Sequence, residues 1–499
     1  MNVSEPEITS VTDLTDKELA KRWKTIDWKK AEQVVNNLQS RIASAAKNRN
    51  WKKVSKLSRL LTRSLYARLL SVRTVSRNKG SKTPGVDGVL WYSQADKMRA
   101  AQQLTSKGYH SKPLARKYIR KKNGKLRPLS IPTLYDRAMQ TLHALALSPV
   151  ESSTGDKTSF GFKPYRSTKD AYAYLHTCLS NKNAPTWILE GDIRSCFDEI
   201  SHDWILENTP MNKQILKESL KAGYVENYRL FPTAKGTPQG GSMSPIIANI
   251  ALNGLETALG KVFYSWNNGT IDKSNRNKHK VNYVRFADDF VITADSYEVA
   301  HEIIDVVKTF LAPRGLKLSE EKTLVTNISE GFQFLGWNFR KYNGKLLVKP
   351  SKDSQKEVIE KIREVIKKGK AWDQDRLIRI LNPIIRGWAQ YHNHAISTDV
   401  FSKLDDVVYN MLVSWAKQRH SNKGVQWIMT KYWHKTGNRN YVFSTESQTL
   451  ERFSNTKIVR HRLAKLDKNP YIDREYFEEW KVMEYHRKKR PSNPHSVLN

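Results

Sequence analysis

Cysteine is scarce in this chain: of 499 residues, only Cys178 and Cys196 are cysteine, and no Cys-x-x-Cys pair occurs. This scarcity argues against a disulfide framework and against a zinc ribbon. No apolar run reaches the length of a membrane span, and the N-terminus lacks the basic-then-apolar order of a signal peptide. The sequence therefore predicts a cytosolic protein with no membrane partner.

Acidic residues are also scarce, but only in parts of the chain. Residues 41–130 hold 24 Lys and Arg against 2 Asp and Glu, and residues 351–499 hold 29 against 17. The block 131–350 between them is nearly neutral, with 26 against 23. This segregation of a net charge of +36 favours a clamp on polyphosphate over general solubility. We expect nucleic-acid binding that weakens strongly with salt.

The near-neutral block contains carboxylates where apolar segments end. Asp288 and Asp289 interrupt an apolar segment between Phe286 and Phe290, and Asp192 ends the apolar segment 187–193. Like charges brought together among apolar residues cost folding free energy unless a cation neutralises them. Mg²⁺ prefers carboxylate oxygens and retains open positions for phosphates. A water-facing hairpin tip would explain an isolated Asp-Asp pair, but the second site favours a metal.

Strands could bring Asp192 beside this aspartate pair, where three carboxylates could hold two Mg²⁺ ions about 3.5–4 Å apart. One metal would lower the pKa of an attacking 3′-hydroxyl, and both would stabilise charge on a leaving pyrophosphate. The segment 117–129 reads as a basic hairpin, and its Lys121 and Arg127 are candidates for binding a triphosphate. A solvated basic face is the alternative for both residues.

Two further features fit a nucleotide site. Phe197, five residues after Asp192, could exclude a 2′-hydroxyl and so select deoxynucleotides; ordinary core packing is the alternative. The loop 236–245 has three glycines and two prolines just before a predicted helix. Its glycines would let a base pair approach the backbone, and Gln239 could hydrogen-bond to it. A plain loop before a helix N-cap is the alternative.

Apolar periodicity predicts the elements that carry these residues. Residues 1–22 read as a disordered lead-in, and 28–76 as helical, with Leu57, Leu61, Leu65 and Leu69 spaced four apart. Further helices are predicted at 135–150, 167–180 and 243–260, strands at 187–193 and 282–293, and three helices that form a small bundle within 355–420.

The order of these segments resembles the reverse transcriptases encoded by group II introns. Asp192-Ile193 is similar to the first catalytic motif of that family, and Phe286-Ala287-Asp288-Asp289 to its Tyr-Ala-Asp-Asp, with Phe in place of Tyr. The other similar segments, in family order, are Thr83–Gly88, Lys121, Arg127, Ser159–Phe162, Thr237–Gly241 with Ser244-Pro245, Leu318–Thr323, Phe334–Trp337, Leu381–His392, Trp427–Trp433 and Gly437–Phe443.

This resemblance implies an α+β fold, the right-hand polymerase, with an antiparallel palm sheet. The expected domains are an N-terminal lead-in at 1–39, fingers and palm with an N-terminal extension at 40–350, a helical thumb (the maturase domain X) at 351–422, and a DNA-binding domain with a basic tail at 423–499. Many relatives continue into an HNH endonuclease with paired cysteines, and we expect this chain to lack it.

The resemblance also implies roles for individual residues. Asp192, Asp288, Asp289 and the backbone of Ile193 are expected to bind two Mg²⁺ ions, with Mn²⁺ as a substitute. The residues expected to bind the dNTP are Lys121, Arg127, Phe197, Gln239 and Lys322. Those expected at the template and primer are Gly236, Pro238, Gly240, Phe286 and Gly336. Those expected to bind RNA are Arg59, Arg63, Arg73, Arg386 and Trp388.

The function expected from the resemblance is RNA-directed DNA synthesis by a protein that binds its own intron RNA, promotes splicing and copies the intron during mobility. The expected partners are the intron RNA in a ribonucleoprotein, an RNA template with a DNA primer, target DNA and dNTPs. The expected location is a bacterial cytoplasm and nucleoid, or an organelle. The alternatives are a splicing cofactor that binds RNA without polymerising, and a domesticated reverse transcriptase with a host or defence role.

Overall fold

The computed structural model describes residues 14–120, 124, 126–238, 240–267, 270–271 and 276–489. The chain divides into two compact units. The first comprises Met1–Ala171, Leu189–Leu324 and Ala464–Trp480, and the second comprises Tyr172–Ile188, Val325–Leu463 and Lys481–Asn499. Within the described ranges, no helix combines the length and the apolar character needed to cross a bilayer.

Helices dominate the N-terminal part of the first unit. They are α1 (Asp16–Lys24), α2 (Trp28–Lys47), α3 (Trp51–Arg63), α4 (Leu65–Arg77), α5 (Gln94–Gln103) and α6 (Leu134–Thr154). Their apolar faces share one core, which includes Val35, Leu57, Leu61 and Leu142. Residues 28–76 are helical as predicted, but Ser64 is extended and divides the leucine series between α3 and α4.

The prediction of a disordered lead-in over residues 1–22 was wrong from Asp16 onward. Thr15 caps α1, and Glu18 bonds back to the Thr15 backbone, which completes a capping box. Leu19 on this helix is buried in the core of the first unit. The polar composition of the segment concealed both the capping box and this single anchoring leucine.

A sheet with the order β2-β1-β4-β5 follows in the first unit. Its strands are β1 (Leu114–Arg120), β2 (Leu126–Ile131), β4 (Tyr224–Glu226) and β5 (Arg229–Phe231). β1 and β2 are antiparallel, with Lys117 opposite Leu129 and Arg120 opposite Leu126, so the predicted basic hairpin is confirmed. β1 and β4 are parallel, and β4 and β5 form a second hairpin.

The other four-stranded sheet has the order β10-β3-β9-β8. Its strands are β3 (Trp187–Gly191), β8 (Tyr283–Phe286), β9 (Asp289–Ala294) and β10 (Leu324–Asn327). The segment predicted as strand over 282–293 is therefore an antiparallel hairpin of β8 and β9. The helices over this part of the chain are α7 (Thr168–Leu179), α8 (Cys196–Glu199), α9 (His202–Asn208), α10 (Lys213–Lys221), α11 (Ser244–Leu252), α12 (Leu255–Phe263) and α13 (Tyr297–Leu311), with the short strands β6 (Trp266–Asn267) and β7 (Thr270–Ile271).

The single helix predicted over 243–260 is two helices, α11 and α12. Asn253 is extended, and Gly254 has a φ of +100°, a left-handed conformation that glycine adopts without steric cost. The Asp156 carboxylate accepts a hydrogen bond from the Gly254 amide at 2.9 Å. The break thus places the Asn253 side chain on a buried polar network described below.

The second unit combines a three-stranded sheet with a helical bundle. The strands are β11 (Phe332–Phe334), β12 (Trp337–Tyr342) and β13 (Lys345–Pro350), and the helices are α14 (Lys352–Lys368), α15 (Gln374–His392), α16 (Thr398–Arg419) and α17 (Val425–Tyr432). The three predicted apolar stripes meet in one core that includes Ile362, Leu381 and Val408, which confirms three packed helices within 355–420. The antiparallel hairpin β14 (Trp433–Thr436) and β15 (Arg439–Phe443) follows.

The C-terminal part of the chain does not form one body. Residues 464–480 belong to the first unit, where the Asn469 side chain donates to the Ser152 carbonyl at 3.2 Å and Phe477 stacks on Tyr165 at 4.8 Å between ring centroids. Residues 423–463 belong to the second unit. The DNA-binding domain predicted over 423–499 stays a prediction. The last helix is α18 (Arg474–Lys489).

Candidate active site

The three predicted aspartates lie at the ends of two neighbouring strands of the first unit. Asp192 directly follows β3, and Asp289 begins β9, which is adjacent to β3 in the sheet. The Asp192 carbonyl accepts from the Ser319 amide at 2.8 Å, and Arg194 donates its amide to the Lys317 carbonyl at 3.0 Å. Residues 317–319 therefore fix the backbone on both sides of Ile193, whose side chain is buried.

The Asp288-Asp289 pair is formed at the tip of the β8–β9 hairpin. Phe286 pairs with Asp289, which leaves Ala287 and Asp288 as a two-residue turn. Ala287 has a φ of 60°, a left-handed conformation that costs a residue with a Cβ roughly 1 kcal/mol or more. The surrounding structure has to hold this turn in place.

Arg285, which was not among the predicted site residues, holds this turn in place. Its side chain is buried at 1% exposure, and its guanidinium donates to the Ala287 carbonyl at 3.1 Å. It also donates to the side-chain oxygens of Asn249 at 3.0 Å and Asn253 at 2.8 Å. The sequence signal for a buried arginine was its position between Val284 and Phe286 in a short apolar segment.

The segment Ser159–Phe162 supports the same hairpin through its backbone. The Phe160 amide donates to the Arg285 carbonyl at 2.8 Å, and the Arg285 amide donates to the Thr158 carbonyl at 3.1 Å. Gly161 is so close to the turn that a Cβ there would lie 2.2 Å from the Ala287 nitrogen. On the β3 side, a Cβ at Gly191 would lie 2.1 Å from the Phe290 ring. Both glycines are required by close approach rather than by backbone conformation.

The aspartates carry more negative charge than their surroundings balance. Burial, followed by the charges of Asp288 and Asp192, raises the pKa of Asp289 to about 6. Burial and the Asp288 charge likewise raise the pKa of the neighbouring Cys196 thiol to about 12. Among the described residues, Lys322 forms an ion pair with this cluster. Its ammonium lies 2.9 Å from an Asp192 carboxylate oxygen, and this bond raises the lysine pKa.

This charge excess fits a divalent cation. Within the part of the chain that the structure describes, no three His, Cys, Asp or Glu side chains form a ready-made metal cage. The strand ends that carry the three carboxylates are nevertheless neighbours in the sheet, and Lys322 already occupies an oxygen of Asp192. Carboxylate oxygens with uncompensated charge are the donors that Mg²⁺ selects. The residues therefore suit the predicted metal through charge and donor type.

Two of the three glycines of the loop 236–245 pack closely on other parts of the chain. A Cβ at Gly236 would lie 2.6 Å from the Asp198 carbonyl oxygen, and one at Gly240 would lie 2.9 Å from the Ser130 carbonyl oxygen. Both also have positive φ, 80° and 123°. These glycines are therefore needed for the loop to pack on the chain itself. The Pro238 carbonyl accepts from the Ser244 hydroxyl at 2.8 Å, which ties the loop to α11.

The remaining predicted nucleotide and template residues are distributed as follows. Phe197 on α8 is half-buried and meets the Phe162 ring edge-on at 6.3 Å, and its carbonyl accepts from the Thr237 amide at 2.6 Å. Arg127 is exposed on β2, opposite Ile119. Lys121 and Gln239 lie outside the described residues.

Two other residues were expected at the template and primer. Phe286 is partly exposed at the end of β8, next to the turn that carries Asp288. Gly336 lies in the second unit between β11 and β12, with a φ of 84°, and its carbonyl accepts from the Ser351 amide at 2.9 Å. Its left-handed conformation is a local reason for glycine at this position.

Two of the five residues predicted to bind RNA are engaged inside their own unit. Arg73 forms an ion pair with Glu32 at 2.7 Å and lies over the Trp28 ring at 4.4 Å. Trp388 donates its indole N–H to Ser354 at 3.0 Å and meets the Phe453 ring edge-on at 5.5 Å. These contacts stabilise each unit, and RNA binding by Arg73 and Trp388 stays a prediction.

The other three predicted RNA-binding residues are arginines at the surface. Arg59 and Arg63 on α3 are exposed, as the prediction required. Arg386 is exposed as well, but its guanidinium forms a two-pronged ion pair with Glu451, with Nε to carboxylate distances of 3.0 and 3.1 Å. Glu451 therefore already occupies one edge of the Arg386 guanidinium.

The raised pKa of Asp289 predicts a pH-dependent stability. Between 3.8, the usual value for aspartate, and about 6, the folded protein keeps a proton that the unfolded chain releases, so stability falls as pH rises through this window. Without divalent metal, Asp289→Asn should therefore melt at a higher temperature than the wild type above pH 6. The gap should close near pH 4. Equal melting temperatures of the variant and the wild type at pH 8, measured by calorimetry, would contradict the raised pKa of Asp289.

The close approach at Gly161 predicts a cost for adding one methyl group. Gly161→Ala should lower the free energy of unfolding by about 1–3 kcal/mol, because the Ala287 backbone cannot move without the hairpin. Gly80→Ala is a matched control in the same unit, since its Cβ would meet only Arg137 at an ordinary 3.5 Å. Urea unfolding followed by tryptophan fluorescence compares the two, and equal midpoints would contradict the contact.

Three family models match this chain. Residues 119–339 match the reverse transcriptase (RNA-dependent DNA polymerase) family, and residues 23–104 match the N-terminal domain of reverse transcriptase. Residues 355–433 match the group II intron maturase-specific domain. The first match contains the aspartates, the Ser159–Phe162 segment and Lys322. The third contains α15 to α17 and all of α14 except its first three residues.

Similar proteins align with well over half of this chain. The chain is 30% identical over 334 residues to Protein YkfC of Escherichia coli, which covers 61% of this chain and 87% of that protein. It is 29% identical over 426 residues to the group II intron-encoded protein LtrA of Lactococcus lactis, which covers 68% and 70%. A structure of telomerase from Candida albicans aligns with a TM-score of only 0.36 at 14% identity over 66% of this chain and 63% of that one, and adds no support. The chain therefore belongs to the reverse transcriptases encoded by group II introns, with an RNA-directed DNA polymerase domain and a maturase domain.

Proposed function

We propose that this reverse transcriptase copies RNA into DNA by metal-dependent nucleotidyl transfer at Asp192, Asp288 and Asp289. The observation that carries this proposal is the position of three carboxylates at adjacent strand ends, where burial and then the charges of Asp288 and Asp192 make ionised Asp289 costly. A fold that only bound RNA would gain nothing from such a cost. In a fold that binds divalent cations and phosphates, cation binding offsets this electrostatic cost.

The residues that would hold the metal are Asp192, Asp288, Asp289 and the Ile193 carbonyl. Two Mg²⁺ ions, or Mn²⁺ in their place, would lower the pKa of the primer 3′-hydroxyl and neutralise charge on the leaving pyrophosphate. The chain's own contribution is to hold the carboxylates in place. Arg285 fixes the hairpin tip, and residues 317–319 fix Asp192.

Lys322 has two successive tasks in this account. In the free protein it bonds to Asp192 and offsets part of the carboxylate repulsion. Its side chain keeps 67% of its surface exposed, so it can turn to a triphosphate when substrate arrives. Lys121, Arg127 and Gln239 complete the proposed dNTP site. Gly236, Pro238, Gly240, Phe286 and Gly336 are proposed template and primer contacts.

Phe197 is proposed to select the sugar of the incoming nucleotide. Its ring is half-buried and contacts the Phe162 ring edge-on, so part of the ring remains exposed to a substrate. A bulky ring fixed in this way can exclude a 2′-hydroxyl, whereas a fully buried ring could not.

The wider organisation follows from the family. The first unit would supply fingers and palm, and the bundle α14–α16 of the second unit would supply the thumb and maturase surface. The named relative LtrA is a group II intron-encoded protein. We infer that this chain likewise binds its intron RNA to promote splicing and copies that RNA into target DNA. Residues from 423 onward would bind the DNA.

A splicing cofactor that binds RNA without polymerising is the second candidate. The maturase match over residues 355–433 would fit such a protein equally well. This chain has the three carboxylates, Lys322 and the restraints on the hairpin tip. Their presence favours an active polymerase.

The carboxylates predict separable activities. Asp192→Asn or Asp288→Asn should abolish primer extension on an RNA template, because a neutral amide cannot share a divalent cation. Filter-binding affinity for intron RNA should be unchanged. Asp305→Asn, at an exposed position on α13, is the matched control and should extend primers normally. Normal extension by either active-site variant would refute the assignment.

The proposed role of Phe197 predicts a change in sugar discrimination. Phe197→Ala should raise the ratio of kcat/KM for a ribonucleotide over the matched deoxynucleotide by about tenfold or more, since removing a steric block is worth at least 1–3 kcal/mol. Phe197→Tyr keeps the ring and should leave the ratio unchanged. Single-nucleotide incorporation kinetics measure both, and an unchanged ratio in Phe197→Ala would assign the ring to packing alone.

A further inference from the structure

The two faces of the β2-β1-β4-β5 sheet differ in which residues they carry. Successive strand residues point to opposite faces, so Arg116, Tyr118 and Arg120 share one face of β1. Ile119 lies on the other face with its partner Arg127, which the proposed function places at the dNTP. The face with Tyr118 is therefore directed away from the proposed nucleotide site.

Aromatic rings and arginines form a continuous surface on that face. The Arg116 guanidinium lies 3.7 Å from the centroid of the Tyr224 ring, and Tyr224 stacks on Phe231 at 5.2 Å with an interplanar angle of 17°. Val225 lies between Tyr224 and Glu226 on β4, so Tyr224 and Glu226 share this face, and Arg229 and Phe231 face it from β5. We call this surface the aromatic face, and its members are Arg116, Tyr118, Arg120, Tyr224, Glu226, Arg229 and Phe231.

The aromatic face is open to solvent. Tyr118 is 49% exposed and Phe231 is 38% exposed, and Arg120 and Arg229 are exposed as well. Large exposed rings grouped on one sheet face are unusual unless something binds there.

The hairpin tip beside the face adds a strained aromatic residue. Asn227 and Tyr228 have φ values of 49° and 62°, as in the two-residue turn that normally takes Asn-Gly. Tyrosine at the second position costs conformational energy that glycine would avoid. The Tyr228 side chain is nonetheless fully exposed and contributes nothing to the core. A ring retained at such a position is better explained by a ligand than by folding.

The chemistry of the aromatic face selects single-stranded RNA. Its three arginines outnumber its one glutamate, so the surface carries a net positive charge and attracts a polyanion. Aromatic and guanidinium planes stack on unpaired bases, which a duplex would hide. The surrounding excess of 24 basic over 2 acidic residues in 41–130 disfavours an ordinary protein partner.

We propose that the aromatic face binds an unpaired segment of structured RNA, at a site separate from the template and primer. This inference rests on the proposed binding of intron RNA and adds the surface that would hold an unpaired part of it. Neither the template–primer nor the dNTP would need to be displaced, because the two sites lie on opposite faces of one sheet.

The test compares two neighbouring residues of nearly equal exposure on opposite faces. Full-length protein is first saturated with RNA template and DNA primer, and binding of a fluorescent oligouridylate is then measured by anisotropy. Tyr118→Ala should weaken this binding about tenfold, as expected for loss of one stacked base. Ile119→Ala, with 52% exposure against 49% for Tyr118, should not change it. Tyr118→Phe keeps the ring, loses only the hydroxyl and should bind normally.

Each other outcome has a definite meaning. Unchanged binding by Tyr118→Ala, or equal loss in Ile119→Ala, would overturn the aromatic face while leaving wild-type binding of intron RNA intact. Failure of the wild type to bind intron RNA at all would instead overturn the proposed function. Self-association that disappears in Tyr118→Ala without any change in RNA binding would identify the face as a protein interface and also overturn the proposal.

Discussion

Repulsion among three carboxylates is the constraint on which the first unit depends. Burial and the charges of Asp288 and Asp192 make ionised Asp289 costly in the folded state, and Lys322 offsets only part of this cost. A fold can keep such a cluster only if the strands that carry it are held from outside the cluster. The buried polar network around Arg285 provides that support, since one guanidinium restrains the hairpin tip and bonds to two asparagines on or just beyond α11.

Close backbone packing accounts for several features that a catalytic motif alone would not explain. Gly161 and Gly191 are glycines because Ala287 and Phe290 occupy the space of their Cβ atoms. Gly236 and Gly240 lie against Asp198 and the Ser130 carbonyl. The motif segments are therefore packed on one another, and a substitution in one is expected to disturb the next before it disturbs a substrate.

Local patterns in the sequence were sufficient for most elements. The Asn123-Gly124 turn signal within a basic segment predicted the β1–β2 hairpin, and three apolar stripes predicted α14, α15 and α16. The capping box at Thr15 and the helix break at Gly254 were missed, because both depend on one or two residues within an otherwise uniform composition. The grouping of the aspartates was anticipated, whereas the restraint by Arg285 was not. Its partners Asn249 and Asn253 lie more than thirty residues away, and nothing local marks a basic residue as buried.

Metal binding at the three aspartates can be tested without catalysis. Fe²⁺ bound in place of Mg²⁺, with ascorbate and peroxide, releases hydroxyl radicals that cut the nearby polypeptide. We expect cleavage of the full-length protein close to Asp192 and close to Asp288, suppressed by excess Mg²⁺ and absent in Asp288→Asn. Cleavage confined to other parts of the chain, or unaffected by Mg²⁺, would contradict a metal site built from the ends of β3 and the β8–β9 hairpin.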